Sequence, residues 1–376
     1  MANSMGITGY DYVEFYVGSA KMAAYWHVNA LGMNLTGYCG SETGIKDRVS
    51  YYLTQNNLKF VITSFVKPST HKISHFVSSH GGGVKRWAVN VDNVEDSFTK
   101  AVTNGAIPVS VPEKLEDEHG YVEEAALQIY DDTELMLVNN KHYKGLFRPG
   151  FQKYQGGIEC HHKNPGLQSI DHIVGNVRQN EMNRWVDYFN KTMDFETSLS
   201  FGPGDISTKY SALLSTVVQT KDGIIKNPIN EPYEGIKISQ IEEYVREYEG
   251  TGIQHIALAT EDIIASVRSL RYNGIEFLEI PDAYYDQLTQ RNAALPEDQK
   301  IMEDIEELRE FGVLCDLEGK GYLLQLFTKP IGDRPTFFFE VIERKRGAQG
   351  FGQGNFQALF DSIEREQARR GNLDRN

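Results

Sequence analysis

Three polar residues interrupt apolar, strand-like stretches in the C-terminal half of the chain. They are His172 in "SIDHIVGNV", His255 in "GIQHIALAT" and Glu340 in "PTFFFEVIERK". Alternate side chains of a strand share a face, so Phe338, Glu340 and Ile342 point to the same side. A carboxylate buried there without a partner would cost on the order of several kcal/mol. Glu340 is therefore expected either to bind a cation or to carry a proton.

Two histidines and one carboxylate form the facial triad that holds iron(II) in non-haem oxygenases and leaves part of its coordination sphere open. A metal ion would also supply the partner that Glu340 needs. Taken singly, each histidine is better explained as a core residue with satisfied hydrogen bonds, and a buried glutamate usually pairs with arginine or lysine. The coincidence of all three on strands of one half of the chain favours a metal site.

Regular strand geometry also predicts the neighbours of the two histidines. His172 would share its face with Ile170 and Val174, and His255 would share its face with Ile253 and Ala257. Each histidine would then project from a face that is otherwise apolar.

The elements that must position these residues occur twice along the chain. Residues 9–38 resemble residues 169–198, and residues 84–114 resemble residues 252–283. Each of these stretches predicts a strand, a helix and a second strand. The glycine- and proline-rich stretch 147–168 separates the two copies. The sequence therefore predicts an α+β fold of two tandem modules, each built from two βα units followed by further strands, a pattern that paired βαβββ units would give.

The two predicted modules cover residues 1–155 and residues 156–376. The C-terminal module adds a charged helical stretch at 290–312 and a terminal helix that Asn355 could cap and Gly371 could end. These additions have no counterpart in the N-terminal module.

The N-terminal module has bulky or apolar residues where the C-terminal module has the three polar ones. The aligned residues are Tyr12 for His172, Trp87 for His255, and Leu137 or Val138 for Glu340. The metal site is therefore predicted in the C-terminal module, and the N-terminal module is predicted to bind no metal.

Charge and cysteine usage exclude several classes of protein. The formal net charge of −14, from 52 acidic and 38 basic residues, argues against nucleic acid or an anionic membrane surface as a partner. The three cysteines form no CxxC pair, and the chain has neither a signal-peptide pattern nor an apolar run of transmembrane length. These features predict a cytoplasmic protein without a disulfide framework.

Several stretches resemble a known family. They are "IDHIVGNV", "NPINEP", "KISQIEEYV", "GIQHIALATEDI", "GYLLQLFTKPIGDRPTFFFEVIER" and "GFGQGNFQALF". The chain resembles the 4-hydroxyphenylpyruvate dioxygenase family of the vicinal-oxygen-chelate superfamily, most densely in the C-terminal module. The resemblance implies a non-haem iron(II) dioxygenase that converts 4-hydroxyphenylpyruvate and O2 to homogentisate and CO2 in tyrosine catabolism. It also implies that His172, His255 and Glu340 bind Fe²⁺.

The resemblance further implies a substrate cavity with two kinds of lining. Polar contacts to the substrate would come from Ser215, Asn230, Gln240 and Gln325, with Asn355 in the same cluster. The aromatic walls would be Phe327, Phe338, Phe351 and Phe356. The terminal helix would act as a lid over this cavity.

Some of these residues also have a purely structural explanation. Gln325 shares its strand face with Leu323 and Phe327, so its buried amide needs a partner. That partner is either a substrate oxygen or another side chain, in a Gln–Gln or Gln–Ser hydrogen bond. Phenylalanines at such spacings are also common as ordinary core residues.

Three other functions share parts of this pattern. A 4-hydroxymandelate synthase would use the same fold, metal and substrate, and an extradiol ring-cleaving dioxygenase would use the same triad on a catechol. A non-catalytic binding protein could use the same fold without needing a metal. Whichever function applies, exposed edges of the two modules would favour a homo-oligomer, either a dimer or a tetramer.

Overall fold

The computed structural model describes residues 3–67, 71–158, 163–202, 204 and 212–372. Its N-terminal half forms a nine-stranded sheet with three α-helices. The strands are β1 (Ile7–Tyr16), β2 (Asn34–Cys39), β3 (Arg48–Gln55), β4 (Leu58–Phe65), β5 (Gly83–Val91), β6 (Ile107–Asp117), β7 (Gly120–Ile129), β8 (Thr133–Asn139) and β9 (Gln152–Lys153). The helices are α1 (Ala20–Asn29), α2 (His71–His80) and α3 (Val94–Thr103).

The C-terminal half forms an eight-stranded sheet with six α-helices. The strands are β10 (Ser169–Asn176), β11 (Glu196–Phe201), β12 (Ala212–Gln219), β13 (Lys226–Tyr233), β14 (Gly252–Ala259), β15 (Leu314–Glu318), β16 (Gly321–Phe327) and β17 (Phe338–Lys345). The helices are α4 (Met182–Thr192), α5 (Gln240–Tyr248), α6 (Ile263–Tyr272), α7 (Asp282–Ala293), α8 (Ile305–Phe311) and α9 (Phe356–Arg370).

The two sheets have the same topology. The first runs β6-β7-β8-β5-β1-β4-β3-β2-β9, and the second runs β11-β12-β13-β10-β14-β17-β16-β15. Read in opposite directions, the two orders match strand for strand, and β9 is an added edge strand. Each half therefore contains two βαβββ units, as predicted from the repeat. The sheets change between Lys153 and Ser169, and the exact module limits, 1–155 and 156–376, stay a prediction.

Each sheet has β-bulges between its two central strands. In the β10–β14 ladder, Ile170 pairs with Leu258 and His172 with Ala257, so Asp171 is an extra residue. A second irregularity follows on β14, where Gln254 is the extra residue. A bulge interrupts the alternation of side chains and can re-aim the residues beside it.

The prediction that Ile253 and His255 share a face was therefore wrong. Ile253 packs in the main hydrophobic core, whereas His255 faces a cavity on the opposite side. The same applies to Ile170, which packs against that core while its strand neighbour His172 lines the cavity. The physical reason is the extra residue in each strand, which alternation along the sequence does not reveal.

The ladders also correct two of the aligned counterparts. Trp87 pairs with Val13 and Arg86 with Glu14, while Ile256 pairs with Ile173 and His255 with Val174. Arg86, not Trp87, is thus the counterpart of His255. By the same register Glu340, which pairs with Ala257, corresponds to Met136, which pairs with Ala88, and not to Leu137 or Val138. Tyr12 keeps its place as the counterpart of His172.

The terminal helix α9 covers one face of the second sheet. Its Phe360 packs with Phe201 and Leu213, and the hydroxyl of Ser362 donates to the backbone carbonyl of Glu279 at 2.9 Å. Gly371 ends the helix with a φ of 78°, a left-handed conformation that favours glycine. Asn355 precedes the helix, but its side chain makes no capping hydrogen bond, so that prediction was wrong.

Two of the three cysteines, Cys39 and Cys315, are unpaired and buried, and Cys160 lies outside the described residues. Among the described residues, no helix has the length and apolar character that crossing a membrane requires.

Aromatic side chains join the two halves in one hydrophobic core. Phe337 and Phe339 on or beside β17 reach into the first half, where Phe15 packs edge-on against Phe337 with ring centroids 5.3 Å apart. Phe60 stacks on Phe339 with centroids 5.9 Å apart and an interplanar angle of 15°. The strand that carries Glu340 is thereby fixed from behind by the other half of the chain.

Replacing Phe339 by alanine should lower the free energy of unfolding by about 3–5 kcal/mol, because a fully buried ring leaves a cavity at this interface. Urea unfolding followed by fluorescence measures the change. Met302→Ala, at a position that is 63% exposed, is the control and should change stability by less than about 0.5 kcal/mol. Equal losses in the two variants would contradict the packing described for Phe339.

Candidate metal centre

His172, His255 and Glu340 lie on β10, β14 and β17, which are neighbours in the second sheet. Glu340 Oε2 is 3.2 Å from His172 Nε2 and 3.3 Å from His255 Nε2. One ligand atom from each residue lies within 4.8 Å of the other two, and all three side chains are buried. The structure thus brings together the three residues that the sequence predicted, as a set that could hold a metal ion.

A hydrogen bond to the other ring nitrogen orients each imidazole. His172 Nδ1 lies 2.7 Å from Asp171 Oδ1, and His255 Nδ1 lies 3.0 Å from Gln254 Oε1. Both partners are acceptor oxygens, so each Nδ1 donates, and each Nε2 faces the Glu340 carboxylate with a lone pair whenever it carries no proton. Lone pairs converging on a carboxylate repel one another unless a proton or a cation lies between them. This donor set therefore fits a divalent metal ion.

The surrounding charges set the protonation of the three side chains. Burial alone would raise the pKa of Glu340, but the two imidazoles lower it below its ordinary value. Burial lowers the pKa of His255, and the neighbouring Glu340 carboxylate only partly offsets this. Burial also acts to lower the pKa of His172, yet Glu340 and Asp171 raise it above its ordinary value. An ionised carboxylate and a neutral His255 suit metal binding, which would displace the remaining proton from His172.

Asp171 is held in turn by Arg344. The guanidinium Nε lies 2.7 Å from Asp171 Oδ2, and Nη2 lies 2.8 Å from Oδ1. Burial acts to raise the pKa of Asp171, but the hydrogen bonds from Arg344 and His172 keep it well below its usual range. Asp171 is therefore an ionised carboxylate that accepts a hydrogen bond from Nδ1–H of His172.

The sequence analysis missed Asp171, Gln254 and Arg344. A pattern for two of them was present, since a polar residue directly precedes each histidine in "IDH" and "IQH". On a regular strand that residue would face away from the histidine, and only the two bulges turn it toward the imidazole. The sequence therefore shows a polar residue before each histidine, but it does not show that this residue contacts the imidazole.

The three candidate ligands form part of the wall of a cavity of about 660 Å³. The cavity is lined by His172, Val174, Phe201, Leu213, Ser215, Val217, Pro228, Asn230, Gln240, Gln254, His255, Gln325, Phe327, Phe338, Glu340, Phe351, Phe356, Leu359, Phe360 and Ile363. Apolar and aromatic walls with a few polar groups are typical of binding sites for small ligands. All the site residues singled out from the sequence line this cavity except Asn355.

Polar groups of the lining include an amide with no partner. Gln325 is 1% exposed, and neither its Oε1 nor its Nε2 has a hydrogen-bond partner among the described residues. The alternative of a Gln–Gln or Gln–Ser hydrogen bond was therefore wrong. Gly352 lies against this amide, and a Cβ there would come within 2.3 Å of Gln325 Nε2. Asn230 differs, because its Nδ2 donates to Asn176 Oδ1 at 3.3 Å.

The aromatic residues of the lining contact the candidate ligands directly. Phe338 stacks on His255 with ring centroids 4.8 Å apart, and Phe327 meets the same imidazole edge-on at 6.0 Å. Phe351 meets His172 edge-on at 5.2 Å. These rings keep both imidazoles in a largely apolar environment, which strengthens electrostatic interactions within the site.

Asn355 lies outside the cavity lining. Its Oδ1 accepts a hydrogen bond from the Tyr284 hydroxyl at 2.6 Å, and its Nδ2 has no partner among the described residues. It supports the start of α9 from α7, so any contact with a ligand would be indirect.

The equivalent positions of the first half cannot hold a metal in the same way. Tyr12, Arg86 and Met136 replace the two histidines and the glutamate. Arg86 Nη1 donates to Glu14 Oε2 at 3.0 Å, and its Nε donates to Glu134. A guanidinium already supplies the positive charge that these buried carboxylates need.

Comparisons with known proteins identify the family of this chain. Residues 169–300 match the model of the Glyoxalase/Bleomycin resistance protein/Dioxygenase superfamily. The 4-hydroxyphenylpyruvate dioxygenase of Yarrowia lipolytica is 42% identical over 371 residues, which cover 97% of this chain and 93% of that protein. The protein of the same name from Caenorhabditis briggsae is 41% identical, with 98% of this chain and 94% of that protein covered.

A solved structure has a similar fold over nearly the whole chain. A triple mutant of 4-hydroxymandelate synthase from Streptomyces coelicolor superposes with a TM-score of 0.82 and 28% identity, covering 96% of this chain and 99% of that one. Together with the His-His-Glu cluster, the similarity to the curated relatives shows that this protein is a metal-dependent enzyme. The chain belongs to the 4-hydroxyphenylpyruvate dioxygenase family.

Proposed function

We propose that this chain is a non-haem iron(II) dioxygenase that converts 4-hydroxyphenylpyruvate and O2 to homogentisate and CO2. The observation that carries this proposal is the convergence of His172, His255 and Glu340 on one side of an aromatic-walled cavity. The family to which the chain belongs gives the substrate. Since this substrate contains its own 2-oxo acid, the reaction needs no separate oxo acid, and both atoms of O2 enter the product.

The metal we propose is Fe²⁺, because a two-histidine, one-carboxylate set with open positions is typical of iron(II) oxygenases. When bound, iron(II) supplies the coordination of the 2-oxo acid and the reductive activation of O2. The protein contributes the three metal ligands, the hydrogen bonds that the two imidazoles donate to Asp171 and Gln254, and a cavity on the open side of the site.

We assign the substrate contacts to the polar side chains of the cavity. The amides of Gln240 and Gln325 would donate to substrate oxygens, with Ser215 and Asn230 on the adjoining strands β12 and β13. Gln325 is the strongest candidate, because its buried amide lacks a partner within the described structure. A ligand oxygen that accepted a hydrogen bond from this amide would offset the cost of its burial. The unpaired amide therefore lowers the stability of the free protein and favours ligand binding.

The aromatic side chains would hold the ring of the substrate and keep water away from the reacting centre. Phe327 and Phe338 lie beside His255, and Phe351 lies beside His172. Phe356 begins α9 and packs edge-on against Phe201 with centroids 5.0 Å apart. In this proposal, α9 acts as the lid that admits the substrate and then excludes water during the reaction.

A 4-hydroxymandelate synthase is the second candidate, because the mutant structure of that enzyme has the same fold along almost the whole chain. Both reactions use the same substrate, and the position that is hydroxylated distinguishes them. The curated dioxygenases are more similar in sequence, at 42% and 41% identity, than the synthase structure, at 28%. We therefore favour ring hydroxylation.

We also propose that the protein is a cytoplasmic homo-oligomer, a dimer or a tetramer. Apolar side chains that are exposed in the single chain support the oligomer, among them Met22 and Tyr25 on α1 and Tyr272 at the end of α6.

Oxygen uptake by the Fe²⁺-loaded protein with 4-hydroxyphenylpyruvate tests the proposed reaction. We expect uptake of O2 with release of CO2 and homogentisate as the product, identified by mass and NMR. Hydroxymandelate as the product would keep the metal site and replace the dioxygenase by the synthase. No uptake by protein that has bound iron would reject this substrate.

Replacing Glu340 by glutamine should abolish both metal binding and turnover, because it removes the anionic ligand of the site. The metal content after dialysis and the rate of oxygen uptake measure the two effects. Glu134→Gln is the matched control, since Glu134 is also a buried carboxylate on a central strand but pairs with Arg86 and Lys85. This control should lose stability yet still bind one metal ion per chain; retention of metal by Glu340→Gln would reject the triad.

Replacing Gln325 by methionine should stabilise the free protein while it weakens catalysis. Methionine has a similar shape but no buried amide, so the cost of leaving a polar group unpaired, about 1–3 kcal/mol, disappears. We expect a higher melting temperature and a fall in kcat/KM of roughly tenfold or more. A variant with lower stability and unchanged kcat/KM would show that Gln325 pairs within the protein instead of with the substrate.

A further inference from the structure

Arg344 connects the candidate metal ligands to the segment that leads into the lid. It lies on β17, four residues after Glu340, and its side chain is 16% exposed. Two guanidinium nitrogens donate to the two carboxylate oxygens of Asp171, at 2.7 and 2.8 Å. The third, Nη1, donates to the backbone carbonyl of Gly350 at 2.7 Å and approaches that of Ala348 at 3.4 Å. One rigid group thus contacts both the partner of His172 and residues 347–355, which we call the glycine segment.

The glycine segment is also held from its other side. Glu318 Oε2 accepts hydrogen bonds from the backbone N–H of Gln349 at 2.9 Å and from that of Gly350 at 2.7 Å. Gly350 is therefore fixed through its N–H by a carboxylate and through its carbonyl by a guanidinium. Charge-assisted hydrogen bonds of this kind are stronger than those between neutral groups.

The position of Gly350 determines where the next aromatic residue lies. Phe351 contacts the His172 ring at 5.2 Å, and the cations of Arg344 and Lys226 lie 5.8 and 5.9 Å from its ring centroid. Gly352 then adopts a left-handed φ of 79° against Gln325, and a short turn leads to Phe356, the first residue of α9. Any outward movement of the start of α9 would therefore pull on the contact between Gly350 and Arg344.

We propose that Arg344 is a positioning residue that couples the orientation of His172 to the closed position of the glycine segment. Its planar guanidinium presents its donors in a fixed fork, so it cannot turn toward one partner without weakening its bonds to the other. A metal ion on His172 fixes the imidazole and Asp171, and hence the donor that holds Gly350. By thermodynamic reciprocity, closing the segment favours the metal-binding orientation of His172. This inference rests on the proposed role of His172 as a metal ligand.

The sequence order supports this assignment. Glu340 and Arg344 share one face of β17, so a single strand carries both a candidate ligand and the residue that connects a second ligand to the lid. Asp171 can accept from His172 and Arg344 together because the bulge turns its carboxylate toward the imidazole. The connection is therefore made of side chains from β10 and β17, the two strands that flank β14.

Amide hydrogen exchange with cobalt(II) as the probe metal tests the coupling without relying on turnover. In the unaltered chain we expect Co²⁺ to slow exchange of the amides in the glycine segment. In Arg344→Gln, these amides should exchange faster and should no longer respond to Co²⁺. The dissociation constant for Co²⁺, followed through its absorption spectrum, should rise by roughly 10- to 100-fold. Exchange in β16, on the far side of β17, should stay unchanged, which separates positioning from general loss of structure.

Two further variants complete the test. Arg346→Gln removes an exposed guanidinium two residues away and should behave like the unaltered chain in both measurements. Arg344→Lys keeps the charge but lacks the fork, so it should bind Co²⁺ more tightly than Arg344→Gln while showing a reduced response in the segment. It also serves as the test variant if Arg344→Gln does not fold.

The outcomes separate this inference from the proposed function. An unaltered chain that fails to bind Co²⁺ would overturn the metal site itself. Binding without any response of the glycine segment would overturn only the coupling. A full response that persists in Arg344→Gln would show that the coupling exists but does not pass through Arg344.

Discussion

The burial of one carboxylate on an apolar strand is the constraint on which the rest of the site depends. Glu340 is 2% exposed, and its Oε2 lies 3.2 Å from His172 Nε2 and 3.3 Å from His255 Nε2. An isolated buried charge is too costly to persist, so the imidazoles must supply a proton or share a cation with it. The hydrogen bonds of Asp171 and Gln254 then favour the cation, because they occupy Nδ1 and leave Nε2 as a ligand atom.

The duplicated fold shows two solutions to the same electrostatic problem. In the second half, a buried carboxylate and two imidazoles converge on a position where a metal ion could bind. In the first half, Arg86 occupies the position of His255 and neutralises Glu14 and Glu134 directly. A guanidinium is a permanent part of the chain, whereas a metal ion leaves coordination positions open to other ligands. The first half packs Phe15 and Phe60 behind β17, and the second half contains the three candidate metal ligands.

The cavity combines apolar walls with polar groups that the protein leaves unsatisfied. Gln325 has both amide atoms unpaired within the described structure. Such groups lower stability and are expected where a ligand completes the hydrogen bonding. The aromatic rings around them exclude water, and the glycine segment allows the backbone to pass close to Gln325 where a Cβ would clash. The unpaired amide of Gln325 thus lowers the stability of the free protein at the position where a hydrogen bond to a ligand would add most to the binding free energy.

Residue types and their strand pattern alone identified His172, His255 and Glu340, because a charged or polar residue on an apolar strand needs a partner of opposite character. The internal repeat likewise predicted two similar α+β modules, because both copies show the same order of strand-like and helix-like hydrophobic patterns. The cavity-lining residues came from family resemblance, and the structure places all of them in one cavity except Asn355. That residue bonds to Tyr284, which comes from a distant helix.

Tertiary structure alone decided the register and the connections between strands. The bulges at Asp171 and Gln254 add one residue to a strand without changing its composition, so alternation could not reveal that these side chains face the imidazoles. The same one-residue ambiguity led to Trp87 instead of Arg86 as the counterpart of His255. Arg344 donates a hydrogen bond to Asp171, although the two residues are 173 positions apart in the sequence. A sequence records which groups need partners, whereas the partner of a buried charge is fixed by distances that exist only once the strands have paired.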